Sequence, residues 1–385
     1  MSHNLTYQSQ RLSHWVQRDA IPVWLERGIH PELGASVERL TAHGQADTQA
    51  DVRVRVQARQ AFFFTACEAL GWCADGAAIG AGMLKFVETC QVEPSVGGGF
   101  PRLLSPEFKV CDFDQDLYDH AFFLLAYAWQ YRVTKDASVL AKADALMQYL
   151  DRAFASPYGG WSEGNYVYKW RRQNPHMHLF EAFMALYEAS GDRQWLLRAG
   201  HIFDLFERFF FCAKQGVLQE YFFSDWRLAS GADGQIIEPG HMFEWVWLLD
   251  WYQRLSGRDL GNYLQILYRR AYELGYQSDS GLVCDSVTAA GGILQQTKRC
   301  WGLTEMIKAC LVMAEHGDPE AEALAAVGIE SLFTYYLCGI TPGTYVDQRG
   351  ADDEIVVDTA PASTLYHLMV LIQHLQAFLA GREAK

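Results

Sequence analysis

The sequence predicts an all-α protein whose twelve helices form a closed double ring, the (α/α)6 barrel. Three observations predict it. The apolar residues repeat with the helical period, short and long connections alternate, and a helical hairpin recurs about every sixty residues. An open solenoid is the structural alternative, but six hairpins without a polar capping repeat favour closure. We therefore expect a single domain over residues 1–385, with short β-like runs in the long connections.

The helices follow one another in pairs. Glycines such as Gly191 and Gly257 end one helix, and a nearby aspartate caps the next. Since the long connections lie between pairs, the inner helices should begin at one common cavity. The predicted helices cover residues 7–29, 52–72, 77–90, 118–133, 137–154, 175–192, 193–211, 241–257, 259–277, 299–318, 319–337 and 362–382.

Composition limits the function. Half of the residues are hydrophobic, and 12 Trp and 19 Tyr suit either a large core or a sugar pocket. A net charge of −14 argues against nucleic acid, and against an anionic substrate unless local arginines override it. Nine cysteines without a CxxC pair, no signal sequence and no membrane-length apolar run predict a reduced, cytoplasmic protein that binds no membrane. We expect a monomer or a homodimer.

Polar or aromatic side chains recur near the start of each inner helix, followed by apolar residues. A single helical histidine is more often structural, but four at equivalent repeat positions are hard to explain by packing. These histidines are therefore candidates for a common site. The recurring residues are Arg59, His120, His178, His241, Trp301, Glu305 and His367.

Two of these histidines have a glutamate three residues later: His178 with Glu181, and His241 with Glu244. This spacing places each carboxylate on the same helix face as its histidine. The carboxylate can accept the imidazole N–H and fix the tautomer, while the helix N-terminus disfavours the imidazolium. We therefore expect neutral, oriented histidines that can act as general bases.

Other chemistries remain as alternatives. His176 and His178 point about 200° apart on a helix and cannot share one ion, and the two His-x-x-Glu pairs lie a repeat apart. We therefore expect no metal and no organic cofactor. A glycosidase would use two carboxylates, for which the candidates are Glu163, Glu181, Glu238 and Glu244. A sugar-binding or protein-interaction module would explain the aromatic residues but not the His–Glu spacing.

Several stretches together resemble the N-acylglucosamine 2-epimerase superfamily, which includes cellobiose 2-epimerase, mannose isomerase and sulfoquinovose isomerase. They are QARQ at 57–60, NPHMHLFEA at 174–182, EPGHMFEW at 238–245, RCWGLTE at 299–305 and STLYH at 363–367. The stretches LYDHAFFLLA and APASTLYHL resemble the mannose isomerase branch more than the other branches.

The resemblance implies an (α/α)6 barrel that isomerises or epimerises sugars without a metal. His241 and His367 would be the acid/base pair. A histidine would take the C2 proton of an open-chain aldose such as mannose to give a cis-enediol, and its return to C1 would give fructose. Delivery to the opposite face of C2 would give glucose. The substrate-binding or supporting residues implied are Arg59, Asn174, His178, Glu244 and Trp301.

Overall fold

The computed structural model describes residues 4–92 and 98–383, and its helices form two concentric rings. All twelve predicted helices are present, and the first is divided into α1 and α2 by a π-helical turn at Val16–Ala20. The helices are α1 (Leu5–Trp15), α2 (Ile21–Arg27), α3 (Val54–Ala69), α4 (Gly76–Glu88), α5 (Leu117–Thr134), α6 (Ala137–Ala153), α7 (Asn174–Ser190), α8 (Arg193–Leu205), α9 (Pro239–Ser256), α10 (Gly261–Gly275), α11 (Cys300–Glu315), α12 (Ala321–Ser331) and α13 (Thr364–Glu383).

Six helices form the inner ring. Each of α3, α5, α7, α9, α11 and α13 packs against the next, and α13 returns to pack against α3. The outer helices α4, α6, α8, α10 and α12 each pack on the inner helix that precedes them, and α1 packs on α12 and α13. The ring is therefore closed, which confirms the (α/α)6 barrel and excludes the open solenoid.

The burial pattern explains why each helix takes its place. The inner helix α5 is buried on nearly all sides from Leu117 to Ala128, as expected for a helix enclosed by other helices. The outer helix α10 buries Leu264, Leu267 and Ala271, which lie three or four residues apart on one face. The apolar core fills the space between the two rings.

Short strands lie in the long connections, as predicted, and several join the loops of neighbouring repeats. For example, β5 pairs with β8, and β13 pairs with β14, in both cases antiparallel. The strands are β1 (Arg39–Leu40), β2 (Val52–Arg53), β3 (Leu103–Leu104), β4 (Val110–Asp112), β5 (Arg171–Arg172), β6 (Phe211–Cys212), β7 (Val217–Leu218), β8 (Tyr221–Phe222), β9 (Tyr276–Gln277), β10 (Leu282–Val283), β11 (Ser286–Val287), β12 (Ile293–Gln295), β13 (Lys298–Arg299), β14 (Gln348–Arg349), β15 (Ile355–Val357) and β16 (Ala360–Pro361).

The predicted helix boundaries are wrong by a few residues where a strand precedes a helix. The predicted helix 52–72 begins at Val54, because Val52 and Arg53 pair with β3. All nine cysteines are free thiols, as expected. Among the described residues, no helix has both the length and the apolar character needed to cross a bilayer.

Candidate active site

A cavity of about 330 Å³ opens where the inner helices begin. Its size lies at the small end of the range for small-molecule sites. Side chains from the first turns of the inner helices and from the long connections line it, so the closed ring brings together residues far apart in sequence. The lining residues are Arg53, Arg55, Arg59, Tyr118, Arg172, Asn174, His178, Glu220, Tyr221, Glu238, His241, Glu244, Arg299, Trp301, Asp347, Ser363, Thr364 and His367.

His241 is held by carboxylates from the connection between α8 and α9. Its Nδ1 lies 3.0 Å from Glu220 Oε2 and 3.7 Å from Glu238 Oε2. Burial disfavours the imidazolium, but these two carboxylates outweigh burial and raise the pKa of His241 to about 10. His241 is therefore positively charged at neutral pH, and the prediction of a neutral histidine at this position is wrong.

The predicted pairing of His241 with Glu244 is also wrong. Although the i, i+3 spacing places both on one side of α9, the closer carboxylate of Glu220 takes the imidazole Nδ1. Burial, followed by the charge of Glu305, raises the pKa of Glu244 well above its ordinary value, which favours its protonated form. Its Oε1 has no hydrogen-bond partner among the described residues and lies 3.9 Å from His178 Nδ1.

Asn174 contacts the other side of the His241 ring, with its Nδ2 3.1 Å from Nε2. An imidazolium donates from both nitrogens and needs an acceptor there. The Asn174 Oδ1 is buried and has no partner among the described residues. A 180° rotation of the amide would present this oxygen to His241 Nε2, so Asn174 can serve the charged ring as an acceptor.

His367 has the opposite charge state. Its Nδ1 lies 2.9 Å from Glu305 Oε1. Burial lowers the pKa of His367 to about 4, with Arg59 and Lys308 adding to the effect and Glu305 only partly opposing it. The ring is therefore neutral at pH 7. Because the buried carboxylate accepts from Nδ1–H, the second nitrogen, Nε2, is left as a proton acceptor.

Trp301 lies between the two histidines. Its ring centroid is 5.1 Å from that of His241 and 5.8 Å from that of His367, and both interplanar angles are 35°. Gly240 makes room for this indole, since a Cβ at that position would lie 2.6 Å from two of its ring carbons. A charged and a neutral histidine therefore flank one aromatic surface at the cavity.

His178 lies deeper, surrounded by the rings of Tyr118, Phe122 and Tyr366. Its Nδ1 is 3.4 Å from Glu181 Oε2, which confirms the predicted His178–Glu181 pair. Burial lowers the pKa of His178 well below its ordinary value, so the ring is neutral, as predicted. Glu181 also accepts a hydrogen bond from the Tyr366 hydroxyl, and it lies outside the residues that line the cavity.

Among the residues that the structure describes, three groups of possible metal ligands occur, each with ligand atoms within 4.8 Å of one another. The expectation that the two His-x-x-Glu pairs remain apart is therefore wrong, since Glu244 approaches His178. All three groups contain an internal His–Glu hydrogen bond that already occupies the imidazole Nδ1. The groups are His178, Glu181 and Glu244; Glu220, Glu238 and His241; and Glu244, Glu305 and His367.

The cavity arginines differ in their partners. Four of them pair with carboxylates: Arg53 with Glu38, Arg55 with Asp119, Arg172 with Glu163, and Arg299 with Asp285. Arg59 instead donates to the Tyr118 hydroxyl at 2.6 Å and to the Ser363 carbonyl at 3.3 Å, and it lies over the Phe122 ring. Arg59 is therefore the cavity arginine whose charge is least neutralised.

Two of the histidines discussed in the sequence analysis, His120 and His176, lie outside the cavity. The fully buried His120, predicted to support the substrate site, has its Nε2 accepting from the Phe100 N–H at 2.9 Å and its Nδ1 2.6 Å from the Asp116 carbonyl. Its ring anchors backbone, and the structure contradicts a contact with the cavity. His176 accepts from the Trp161 N–H at 3.1 Å and faces away from His178, as its helical angle predicts.

Glu220 is the residue that sequence analysis missed. It directly precedes β8, and pairing of β8 with β5 carries it to the mouth of the barrel. A charged residue beside the apolar run at 221–223 is a weak signal. Its partner lies 21 positions away, and the spacing indicates no helical contact between them.

Comparisons with known proteins agree with this fold. A sequence model described as N-acylglucosamine 2-epimerase (GlcNAc 2-epimerase) matches residues 35–370. A protein of Rhizobium meliloti (strain 1021) named mannose-6-phosphate isomerase is 32% identical, over 98% of each chain. A D-mannose isomerase of Thermobifida fusca is 29% identical over 41% of this chain and 42% of its own. The structure of cellobiose 2-epimerase from Bacillus thermoamylovorans B4167 superimposes with a TM-score of 0.84 at 17% identity, covering 96% of this chain and 99% of the other.

Proposed function

The chain belongs to the N-acylglucosamine 2-epimerase family of carbohydrate isomerases and epimerases, and we propose that it interconverts D-mannose and D-fructose as a single catalytic domain. The observation that carries the proposal is the pair of histidines in opposite charge states on either side of Trp301. Aldose–ketose isomerisation needs one base at carbon and one acid at oxygen. His367 and His241 supply these two functions.

His367 is the proposed base. Its neutral ring, with Nδ1 bound to Glu305, leaves Nε2 free to take the C2 proton of open-chain mannose. Removal of that proton gives a cis-enediol, and delivery of a proton from the same ring to C1, after exchange with solvent, gives fructose. The imidazolium formed in between is stabilised by the Glu305 carboxylate, which lies 2.9 Å from Nδ1.

His241 is the proposed acid. Its positive ring can donate from Nε2 to the ring oxygen during opening and take up the proton that the C1 hydroxyl loses. The recharged ring can then donate to the C1 oxygen as negative charge develops there. It recovers the proton from the C2 hydroxyl when the ketone forms. Arg59, the least neutralised cavity arginine, adds a fixed positive charge for the enediolate oxygens.

The charge distribution favours a neutral sugar over a sugar phosphate. Four of the five cavity arginines are already paired with carboxylates. A phosphate dianion would meet these pairs together with Glu220, Glu238 and Asp347, which also line the cavity. The net charge of −14 acts in the same direction. We therefore propose free mannose as the substrate.

A sugar 2-epimerase is the second candidate. His241 and His367 lie on different inner helices and flank Trp301 from two sides, so a second proton donor is available for the opposite face of C2. On mannose, this outcome would give glucose. The glycosidase alternative has less support, because Glu163 pairs with Arg172 and Glu238 lies beside His241 and Arg299.

Product analysis tests the proposal. The protein is incubated separately with mannose, glucose, cellobiose, N-acetylglucosamine and mannose 6-phosphate, and the products are separated by chromatography. We expect fructose from mannose as the main product and little conversion of mannose 6-phosphate. Glucose as the main product would favour the epimerase, and preference for mannose 6-phosphate would contradict the argument from the paired arginines.

A further inference from the structure

Lys308 is a fully buried lysine behind the proposed base. It lies on α11, three residues after Glu305, and its side chain has no solvent exposure. Its Nζ is 2.6 Å from Glu305 Oε2 and 4.0 Å from the centroid of the Trp247 ring. Among the described residues it has no further hydrogen-bond acceptor. Its charge is therefore directed at a single carboxylate.

The two oxygens of Glu305 serve different partners. Oε2 contacts Lys308 and accepts from Trp247 Nε1 at 3.0 Å, whereas Oε1 contacts His367 Nδ1 at 2.9 Å. The carboxylate thus connects a buried ammonium group to the histidine at the cavity. An ion pair at this depth is costly to bury, and an apolar side chain of similar length would fill the same volume. A role in stability alone therefore accounts poorly for a lysine here.

We propose that Lys308 is a positioning residue that keeps Glu305 ionised, so that His367 carries its proton on Nδ1 and presents an unprotonated Nε2 to the sugar. This inference rests on the proposed function, because it concerns the proposed base. Lys308 itself lines no part of the cavity and acts only through Glu305.

Burial shifts the other carboxyl groups near Lys308 toward their neutral forms. Burial raises the pKa of Glu181 to about 7, and it raises the pKa of Glu244 well above its ordinary value. Burial opposes ionisation of Glu305 as well, but Lys308, the strongest of the favourable partners, and His367 together outweigh it and lower the pKa of Glu305 to about 2. The groups that interact with Lys308 are His178 and Glu181 on α7, Glu244 on α9, Glu305 on α11, and His367 and His374 on α13. Tyr366 of α13 lies near Glu181 and Glu305, and Arg254 of α9 lies near His374.

Loss of the Lys308 charge should change proton binding at the Glu305–His367 pair in one direction. Without the cation, the Glu305–His367 pair binds a proton more tightly. If Glu305 takes the proton, it donates to Nδ1 and His367 becomes the Nε2–H tautomer. If His367 takes it, the ring becomes an imidazolium. Both states lack a free Nε2, so the base form appears only at higher pH.

The test compares Lys308→Met and Lys308→Gln, which remove the charge, with Lys308→Arg, which keeps it. The matched control is Lys298→Met, because Lys298 is also buried and paired, with Asp353 at 2.7 Å. For each folded variant, kcat/KM for mannose is measured against pH, together with the melting temperature. We expect the acidic limb to move up by about one pH unit or more in the two neutral variants. It should stay near the wild-type position in Lys308→Arg and Lys298→Met.

A wild-type acidic limb in folded Lys308→Met or Lys308→Gln would overturn the proposal, as would the same displacement in Lys298→Met. If neither neutral variant folds, 15N NMR of the wild-type histidines decides. The His367 signals, assigned by their loss in His367→Asn, should be those of a neutral Nδ1–H ring at pH 7, and an imidazolium or Nε2–H tautomer would overturn the proposal. This spectrum needs no substrate, so failure to convert mannose would count against the proposed function alone.

Discussion

The Glu220→Gln variant separates the observed partner of His241 from the partner predicted by helix spacing. A rise in the pKa of His241 from 6.5 to about 10 corresponds to about 5 kcal/mol in favour of the imidazolium. Burial works against this rise, and Glu220, at 3.0 Å, is the strongest of the groups that cause it. Loss of one carboxylate at this distance should lower the pKa by about 1–3 units, and glutamine keeps the shape.

The assay is kcat/KM for mannose as a function of pH, where loss of the His241 proton sets the basic limb. We expect this limb to move down by about 1–3 pH units in Glu220→Gln. Glu244→Gln is the control: since Glu244 contributes less to the rise than Glu220 or Glu238, its amide should move the limb much less than Glu220→Gln does. A displaced limb in Glu244→Gln with an unchanged limb in Glu220→Gln would refute the assignment of Glu220 as the partner.

Three further predictions follow from the site. Because the folded-state pKa of Glu181 is about 7 and its ordinary value is 4.5, the unfolded chain loses this proton first as pH rises. The free energy of unfolding of Glu181→Gln, relative to that of the wild type, should therefore rise by about 3 kcal/mol between pH 4.5 and 8 when both are measured by urea titration. A difference between the two proteins that stays constant with pH would contradict this. His241→Asn and His367→Asn should lower turnover by about 10²–10⁴ with little change in melting temperature, whereas His176→Asn should retain turnover; the reverse ordering would indicate structural histidines. Exhaustive treatment with a strong chelator should leave full activity, and a loss that a divalent ion restores would revive the metal alternative.

Much of the fold follows from local sequence signals. The period of the apolar residues and the glycines that end helices are properties of short segments, so all twelve helices were predictable. The first residues of helices, such as Val54, were harder to predict. The residues just before Val54 form a strand that pairs with a loop distant in sequence, and this pairing delays the start of the helix. The ring is closed by the contact between α13 and α3. In the sequence, the main sign of this contact was the presence of six hairpins without a polar capping repeat.

The site was predictable where neighbours lie on one helix and unpredictable where they do not. The pair of His178 and Glu181 follows from an i, i+3 spacing, and the structure contains it. The partners of His241 and His367 come from other elements, through Glu220 and Glu305, and no helical spacing indicates them. Charge states depend on the same contacts, which is why the positive charge of His241 was missed.

The most direct test of the central claim is solvent exchange at the substrate carbon. The protein is incubated with mannose in deuterated water, and NMR measures deuterium at C2 of recovered mannose and at C1 of fructose for wild type and His367→Asn. The account predicts deuterium at these positions in the wild type, and exchange at least about 100-fold slower in a folded His367→Asn variant. Exchange at the wild-type rate in His367→Asn, or no reaction of mannose with the wild type, would contradict it.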